Sequence, residues 1–421
     1  MPALQGTANV LLTNDEIANE ALRVLKNECV ALRLVNRNLE SKFGEIGDTI
    51  SVRKPFRVQS TTGRTLGIKP MVDQTVALTI DQQRNIGLRF TTNDRSLSIA
   101  QFSERYIKPA VTQIAHQIDL SILTEAVNST YFYSGTPGQG TTFETMIDAR
   151  ADATEVGVPD DGMNKYLLNP RDAASHRKAL TNLNNEGMVK AAIERAYLGQ
   201  LAGMDGYESA QMPTHTVGVA TGTPKVYLAN QTGASINTDG WTNSTTGILK
   251  KGDIITFDGV YAINPQTYQS TGQLMQFVVT ADVDSGASTG PATIPISPAI
   301  NDGTLTTVDG DGNTVSLAAY QNVSNAPAND ADVNVLGTGG TTYRQNLMLH
   351  RDAITFAMIS LHLPESANVA KRVHDAQTGL ALTLTAAYDI TEARETYRLD
   401  ALWGVKNLYP ELTRRIGGTS S

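Results

Sequence analysis

The chain has one cysteine, Cys29, in 421 residues, so it can form no disulfide within itself and no thiolate cage for a metal. It has no long apolar run either: the densest stretch, Ala353 to Leu363, is far short of the ~20 residues that cross a bilayer. No basic patch followed by an apolar segment stands at the N-terminus, which argues against a signal peptide and, with the missing disulfides, for a reducing cytoplasm. The six histidines, His116, His176, His215, His350, His362 and His374, are scattered without an HExxH or comparable pairing, and there is no Walker loop, GxSxG elbow or GxGxxG turn. A formal net charge of −8 argues against a dedicated nucleic-acid binder, which needs a dense basic surface. Glutamate is missing altogether from Ser209 to Pro364.

What is present is periodicity. From Ser96 to Asn128, Tyr106, Ala110, Ile114, Ile118, Ile122 and Ala126 recur every fourth residue, with Ile107, Val111 and Ala115 one step round. That is a single apolar stripe on a long helix. Pro109 interrupts it: either the helix kinks there, or Pro109 sits in the first turn of a helix that starts anew. Near the N-terminus Thr13 and Glu16 have the spacing of a capping box and Leu12 and Ile17 that of a hydrophobic staple. The helix they would open, Asn14 to about Asn36, carries Ile17, Ala21, Leu25, Cys29 and Leu32 on one face. Cys29 reads as a small buried hydrophobe, and the helix as one that docks on something, another subunit included.

Between Gly47 and Phe90 the period changes to two, through Ile50 and Val52, Val76, Leu78 and Ile80, then Ile86, Leu88 and Phe90. This predicts a protruding hairpin of two long strands around a polar tip, Ser60 to Pro70. Arm and tip carry Arg53, Lys54, Arg57, Arg64 and Lys69 with no acidic residue between Ile50 and Val72. A basic arm on an acidic chain suits contact with the acidic surface of another copy. Further on, helices are predicted at Thr142 to Val156 and Arg171 to Leu180, a short strand at Lys165 to Pro170, and a strand broken by glycines at Gly199 to Pro213. Asn346 to Leu361 reads as a strand running into a helix. Leu380 to Tyr388 and Tyr397 to Val405 alternate as strands.

From about Val217 the composition shifts to Thr, Ser, Gly, Asn and Asp. Short β patterns and turn clusters predict a separate domain from Val217 to Tyr343, a small barrel or sandwich. It holds ten aspartates against three lysines, a net of −7. A β-domain flanked by one mixed fold is best explained as an insertion. Inside it Asp309, Asp311 and Asn313 imitate the start of a calcium loop, but the sixth-position glycine is missing and Tyr320 occupies the twelfth place, so a hairpin turn is the better reading. Asp160 and Asp161 precede Gly162 and read as a turn. Neither cofactor nor metal is expected.

This order of parts resembles the major capsid protein of tailed bacteriophages. The strings that carry the likeness are YIKPAVTQIAHQID at Tyr106 to Asp119, IERAYLGQLAGMDGYESAQMPTHTVG at Ile193 to Gly218, LKKGDIITFDGVYAINP at Leu249 to Pro265 and NLMLHRDAITFAM at Asn346 to Met358. They look like the insertion-domain subfamily typified by the P22-type coat protein, over nearly the whole chain.

The resemblance implies an α+β Hong Kong-type capsid fold: an N-terminal arm (1–46), an extended hairpin loop (47–95), a spine helix (96–129), an axial domain in two parts (130–216 and 344–379), an inserted β-domain (217–343) and strands returning to the peripheral domain (380–421). It implies a shell of hexamers and pentamers assembled in the host cytoplasm, with a scaffolding protein and a portal as further partners, packaged DNA only nearby and no membrane. Arg53, Lys54, Arg57, Arg64 and Lys69 would then contact a neighbouring subunit. Some relatives weld subunits through a hairpin lysine and an asparagine. Lys54 and Lys69 lie in the right loop, but no matching asparagine or glutamate stands in a recognisable motif, so no weld is expected. A β-rich glycan-binding adhesin is the rival reading, with Trp241 and a few tyrosines as its sugar platforms.

Overall fold

A computed structural model of the chain describes residues 14–37, 49–60, 63–64, 72–91, 103–181, 198, 200–308, 312–361, 363, 369–375, 379–389, 391 and 394–421. The capping residue Thr13, the staple residue Leu12, Lys69, Asp309, Asp311, His362 and the first residues expected in the long helix lie outside these. The chain divides into two compact units: Met1–Ile50, Ala77–Ile122 and Thr355–Lys406 form one, and Ser51–Val76, Leu123–Ile354 and Asn407–Ser421 the other.

The first unit is built on a five-stranded sheet. Ile354–Ile359, Arg394–Asn407, Leu380–Asp389 and Val369–Asp375 lie side by side, and Gln82–Thr91 pairs with Arg394–Asn407 as well. Along Arg394–Asn407 alternate side chains Tyr397, Leu399, Ala401 and Trp403 are buried, and this apolar row captures Gln82–Thr91 over a ten-residue register ending at Trp403 opposite Gln82. The expected hairpin of two long strands is therefore corrected to three strands. Thr49–Arg53 pairs with Thr75–Thr79, and the third strand belongs to the sheet. Ile354–Ile359 is likewise a strand and not the expected helix. Its residues are buried with no alternation, and a short run that is apolar on every side carries no period by which to choose.

The first helix, Asn14–Glu28, ends sooner than its pattern suggests and gives way to a 3-10 turn, Ala31–Arg33. Its predicted face is the buried one: Ile17, Ala21, Leu25, Cys29 and Leu32 are each at most 3% exposed. It docks on Val369–Asp375 and Leu380–Asp389 of its own chain, with Lys26 Nζ 2.9 Å from Asp375. Burial raises the Cys29 thiol well above its ordinary range, so Cys29 stays a protonated, inert hydrophobe.

The long helix is α-helical over Lys108–Ser129, preceded by a π-helical turn, Ser103–Ile107. Pro109 thus stands just past the change from π-helical to α-helical winding, at the second α-helical residue. The stripe from Ile107 to Ala126 is buried as expected. Trp403 donates through Nε1 to Ser121 Oγ at 2.9 Å. One polar member of the buried face escaped the sequence reading: Asp119, 2% exposed, accepts from the backbone N–H groups of Val30 (2.9 Å) and Ala31 (3.1 Å). It caps the 3-10 turn from across the unit.

Burial holds the Asp119 carboxyl up at about 6 against the two donors, from an ordinary 3.8. Because the folded value lies above the unfolded one, its contribution to stability is full below pH ~4 and is lost as pH rises through ~6. Asp119→Ala strands two buried donors and should cost roughly 2 to 4 kcal/mol. The gap between wild type and variant in urea midpoint should be wider at pH 4.5 than at pH 7; an equal gap at both would refute the assignment.

The second unit carries a mixed sheet ordered Tyr133–Ser134, Thr413–Ile416, Asn346–His350, Asn164–Leu168, Met204–Glu208 and Gln200–Leu201. The last strand of the chain is therefore placed here, beside Tyr133 and Asn346, apart from the other residues expected in the 380–421 segment. Phe143–Glu155 packs on it, its N-cap Thr142 accepting from Thr145 N, and Pro170–Thr181 opens with proline in the first turn. The glycines of residues 199–213 permit close approach: a Cβ on Gly206 would fall 2.3 Å from the ring of the buried Tyr166.

Candidate functional site: the inserted barrel and the basic loop

The insertion begins and ends on one short ladder. Thr214–Thr216 pairs with Thr342–Arg344, Thr216 opposite Thr342, so the ends of the inserted segment are adjacent. Between them six strands run in the order Val333–Val335, Ile254–Ile263, Ser270–Val279, Ala292–Ile300, Gly233–Trp241 and Gly222–Val226. The outer two meet at the bridge Lys225↔Asp332, with Val226 N donating to Ala331 O. The sheet closes on itself, and of the two expected forms the barrel is the one built. Closure leaves no free edge for unwanted pairing. Its interior is filled by Phe257, Phe277, Trp241 and aliphatic side chains, with Tyr131 and Phe132 from outside the insertion in the same core.

Two polar devices fix the barrel to the rest of its unit. The turn Lys250–Lys251–Gly252–Asp253 puts the Asp253 carboxylate, fully buried, at the neck. It accepts from Lys250 N (2.7 Å) and Gly218 N (3.0 Å), and its other oxygen lies 2.7 Å from His215 Nε2. Across the barrel wall the Gln276 side-chain amide pairs with one residue's backbone, accepting from Tyr133 N (2.6 Å) and donating to Tyr133 O (3.1 Å). Beside the neck, Arg415 donates to Gly252 O and, at 2.9 and 2.7 Å, to Gln345 Oε1. Burial lowers its guanidinium to about 10, so it remains charged at neutral pH.

The four basic positions among the described residues separate. Arg53 and Arg64 are exposed, Arg53 lying 3.6 Å from Asp73, which is also exposed. Lys54 and Arg57 face inward and share one carboxylate of their own chain, Glu411, at 3.8 and 3.7 Å. Burial lowers the Lys54 ammonium, and Glu411 opposes that shift. Phe56 and Val58, 51% and 62% exposed, stand on the same arm. Glu411, a lone glutamate more than three hundred residues away in sequence, offers no motif by which it could have been paired with Lys54 beforehand. His215 and Asp253 are equally separate in the sequence.

Among the described residues the acidic and histidine side chains singled out from the sequence are spread over separate contacts. Asp160 is salt-bridged to Arg150 at 2.7 Å, and Asp161 accepts from Met163 N and lies 3.0 Å from His350 Nε2. The Met163 N–H first, and then His350, hold the Asp161 carboxyl below its usual range. His176 is buried and held neutral, its imidazole lowered to about 4 by burial. Among the described residues no group of three or more His, Cys, Asp or Glu side chains could hold a metal ion, and no helix is long and apolar enough to cross a membrane.

An α+β chain with a long apolar-striped helix, a basic loop, a mixed sheet and a barrel set into it on a two-stranded neck is a structural subunit of the coat-protein class. It belongs to the P22 coat protein family: the family model described as P22 coat protein, gene protein 5, matches residues 17–418. Among curated proteins none matches the chain in sequence. Solved structures it is similar to include one of Mycobacterium phage Che8, at 14% identity and TM-score 0.46 over 93% of this chain and 92% of that one. The capsid of Ralstonia phage GP4 matches at 9% and 0.43 over 92% and 87%, and a virus-like particle from Pyrococcus furiosus at 8% and 0.42 over 96% and 98%. The protein is a major capsid protein that assembles with copies of itself into a virion shell. The adhesin reading has no support.

Proposed function

We propose that the loop carrying Arg53, Lys54, Arg57, Arg64 and Lys69 is the arm by which one subunit holds the next in the shell, with division of labour inside it. The supporting observation is the pair of exposed guanidiniums, Arg53 and Arg64, with Phe56 and Val58 beside them, on a chain of net charge −8. Lys54 and Arg57 root the arm on Glu411, while Arg53, Arg64 and the apolar pair meet the neighbouring copy. The unit holding the spine helix and Thr355–Lys406 takes the peripheral role, the six-stranded mixed sheet the axial role around each capsomer, and the barrel contributes contacts between capsomers. Assembly takes place in the host cytoplasm with a scaffolding protein and a portal.

A single surface ion pair is worth ~0 to 1 kcal/mol, but a closed shell repeats the contact in every copy, so small losses multiply. Arg53→Glu combined with Arg64→Glu should leave a monomer with unchanged circular dichroism and melting temperature, and should cut shell yield at least tenfold by sedimentation and electron microscopy. Wild-type yields from the double reversal would overturn the interface role.

A further inference from the structure

The root of the basic loop is held by a residue of the insertion. The ladder of Thr49–Arg53 with Thr75–Thr79 continues through one more backbone hydrogen bond, Lys54 N to Gln74 O at 2.7 Å. Beyond it the hydroxyl of Tyr320 stands between the two chains. It accepts from Arg57 N at 3.3 Å and donates to Val72 O at 2.9 Å, so one side chain closes a gap that backbone pairing leaves open.

Tyr320 is itself rigidly mounted. It ends the 3-10 turn Ala318–Tyr320, which receives a hydrogen bond from the Tyr268 hydroxyl at Ala319 O (3.1 Å). The flanking segments are tied to the barrel reciprocally: Asn322 Oδ1 accepts from Asn301 N and Asn322 Nδ2 donates to Ala299 O, while Asn301 Nδ2 donates to Leu317 O. The loop root, by contrast, is poorly packed. Beneath it lies a cavity of about 460 Å³ bordered by Lys54, Arg57, Tyr131, Tyr320, Tyr409 and Glu411. The ion pairs across it are long, 3.7 and 3.8 Å, and Phe56 points to solvent. The cavity is half open, so among the described residues the directed hydrogen bonds of Tyr320 are the contacts that fix the backbone of Arg57 and Val72 relative to the barrel.

We propose that Tyr320 is a positioning residue for assembly: through its hydroxyl the inserted barrel sets the angle at which the basic loop leaves the subunit. This rests on the loop being the intersubunit arm. The insertion then acts on shell geometry from within the subunit, in addition to any contact it makes outward.

Tyr320→Phe removes one oxygen and keeps the ring. In the full-length monomer, amide exchange at Arg57 should quicken about tenfold while exchange within the barrel strands is unchanged, and shells should form with a broadened size distribution or fail to close. Unchanged exchange at Arg57 would overturn the clamp. Faster exchange with wild-type shell size and yield would overturn its role in assembly. If Arg53→Glu with Arg64→Glu assembled like wild type, the arm reading would fail instead, and the exchange result at Arg57 would still decide the clamp.

Discussion

Asp253→Ala is expected to destabilise the unit that carries the barrel by roughly 3 to 5 kcal/mol, since it removes a buried carboxylate on which three donors converge. Lys250 N and Gly218 N lose their acceptor, and His215, 8% exposed, loses the partner of its Nε2. Gly218 cannot move to compensate: a Cβ there would fall 2.5 Å from Ile248 O, so backbone already packs against backbone at the neck. Against a total stability of ~5 to 15 kcal/mol for a typical domain, the loss is large. The measurement is urea unfolding followed by the buried Trp241, with limited proteolysis at the neck. Asp253→Asn, which retains one acceptor oxygen, should fall between wild type and alanine. A loss under ~1 kcal/mol for alanine, or cleavage no faster than wild type, would show that the two-stranded ladder alone holds the barrel.

How far this architecture was legible beforehand depended on whether a feature is local. The apolar stripes of Asn14–Glu28 and Lys108–Ser129 are repeats within one element; Ile17, Ala21 and Leu25 and the stripe from Ala110 to Ala126 are buried, along with Ala18, Leu22, Leu123 and Val127, which the period leaves out. The insertion was visible because its composition changes and because a domain set into another must enter and leave at adjacent points, which the pairing of Thr216 with Thr342 satisfies. Ile354–Ile359 reads as a helix in sequence because a strand buried on all sides has no period. Gln82–Thr91 reads as part of the hairpin because alternation identifies a strand and not its partner, and its partner is some three hundred residues away.

The site was harder still. The positive charge of the loop could be read directly, but whether a given cation faces outward or pairs within the chain depends on Glu411. The hydrogen bonds of Tyr320 and Asp119 run to backbone atoms distant in sequence, and Asp253 reaches Gly218 N and the His215 ring, both far off in the sequence, besides the nearby Lys250 N. A tyrosine in a polar loop and an aspartate one step off an apolar stripe look like ordinary surface residues until the fold brings donors to them.

The second large effect should come from Asp152. Arg414, in the last strand, is 5% exposed and lies 4.9 Å over the Phe132 ring. Its Nη1 donates to Ser134 Oγ (2.9 Å) and Asp152 Oδ2 (3.1 Å). Asp152 also accepts from Ser134 Oγ at 2.7 Å and from Gln273 Nε2 of the barrel at 3.2 Å. Burial lowers the guanidinium to about 10, with Asp152 opposing, so it stays charged at neutral pH and needs its carboxylate. Arg414 is the buried partner and Asp152 is partly exposed, so removing the carboxylate leaves an uncompensated buried charge, whereas removing both is close to neutral. Asp152→Ala should therefore cost roughly 3 to 5 kcal/mol, and Asp152→Ala with Arg414→Met should lie within about 2 kcal/mol of wild type. Urea midpoints of the four proteins in the cycle would decide it; additive losses would mean that the two residues act separately. The expected coupling bears on the shell because the strip Tyr131 to Ser134 places Tyr131 and Phe132 in the barrel core and Tyr133 and Ser134 in the mixed sheet. An unpaired Arg414 would loosen that strip, and the barrel's seat on the subunit with it.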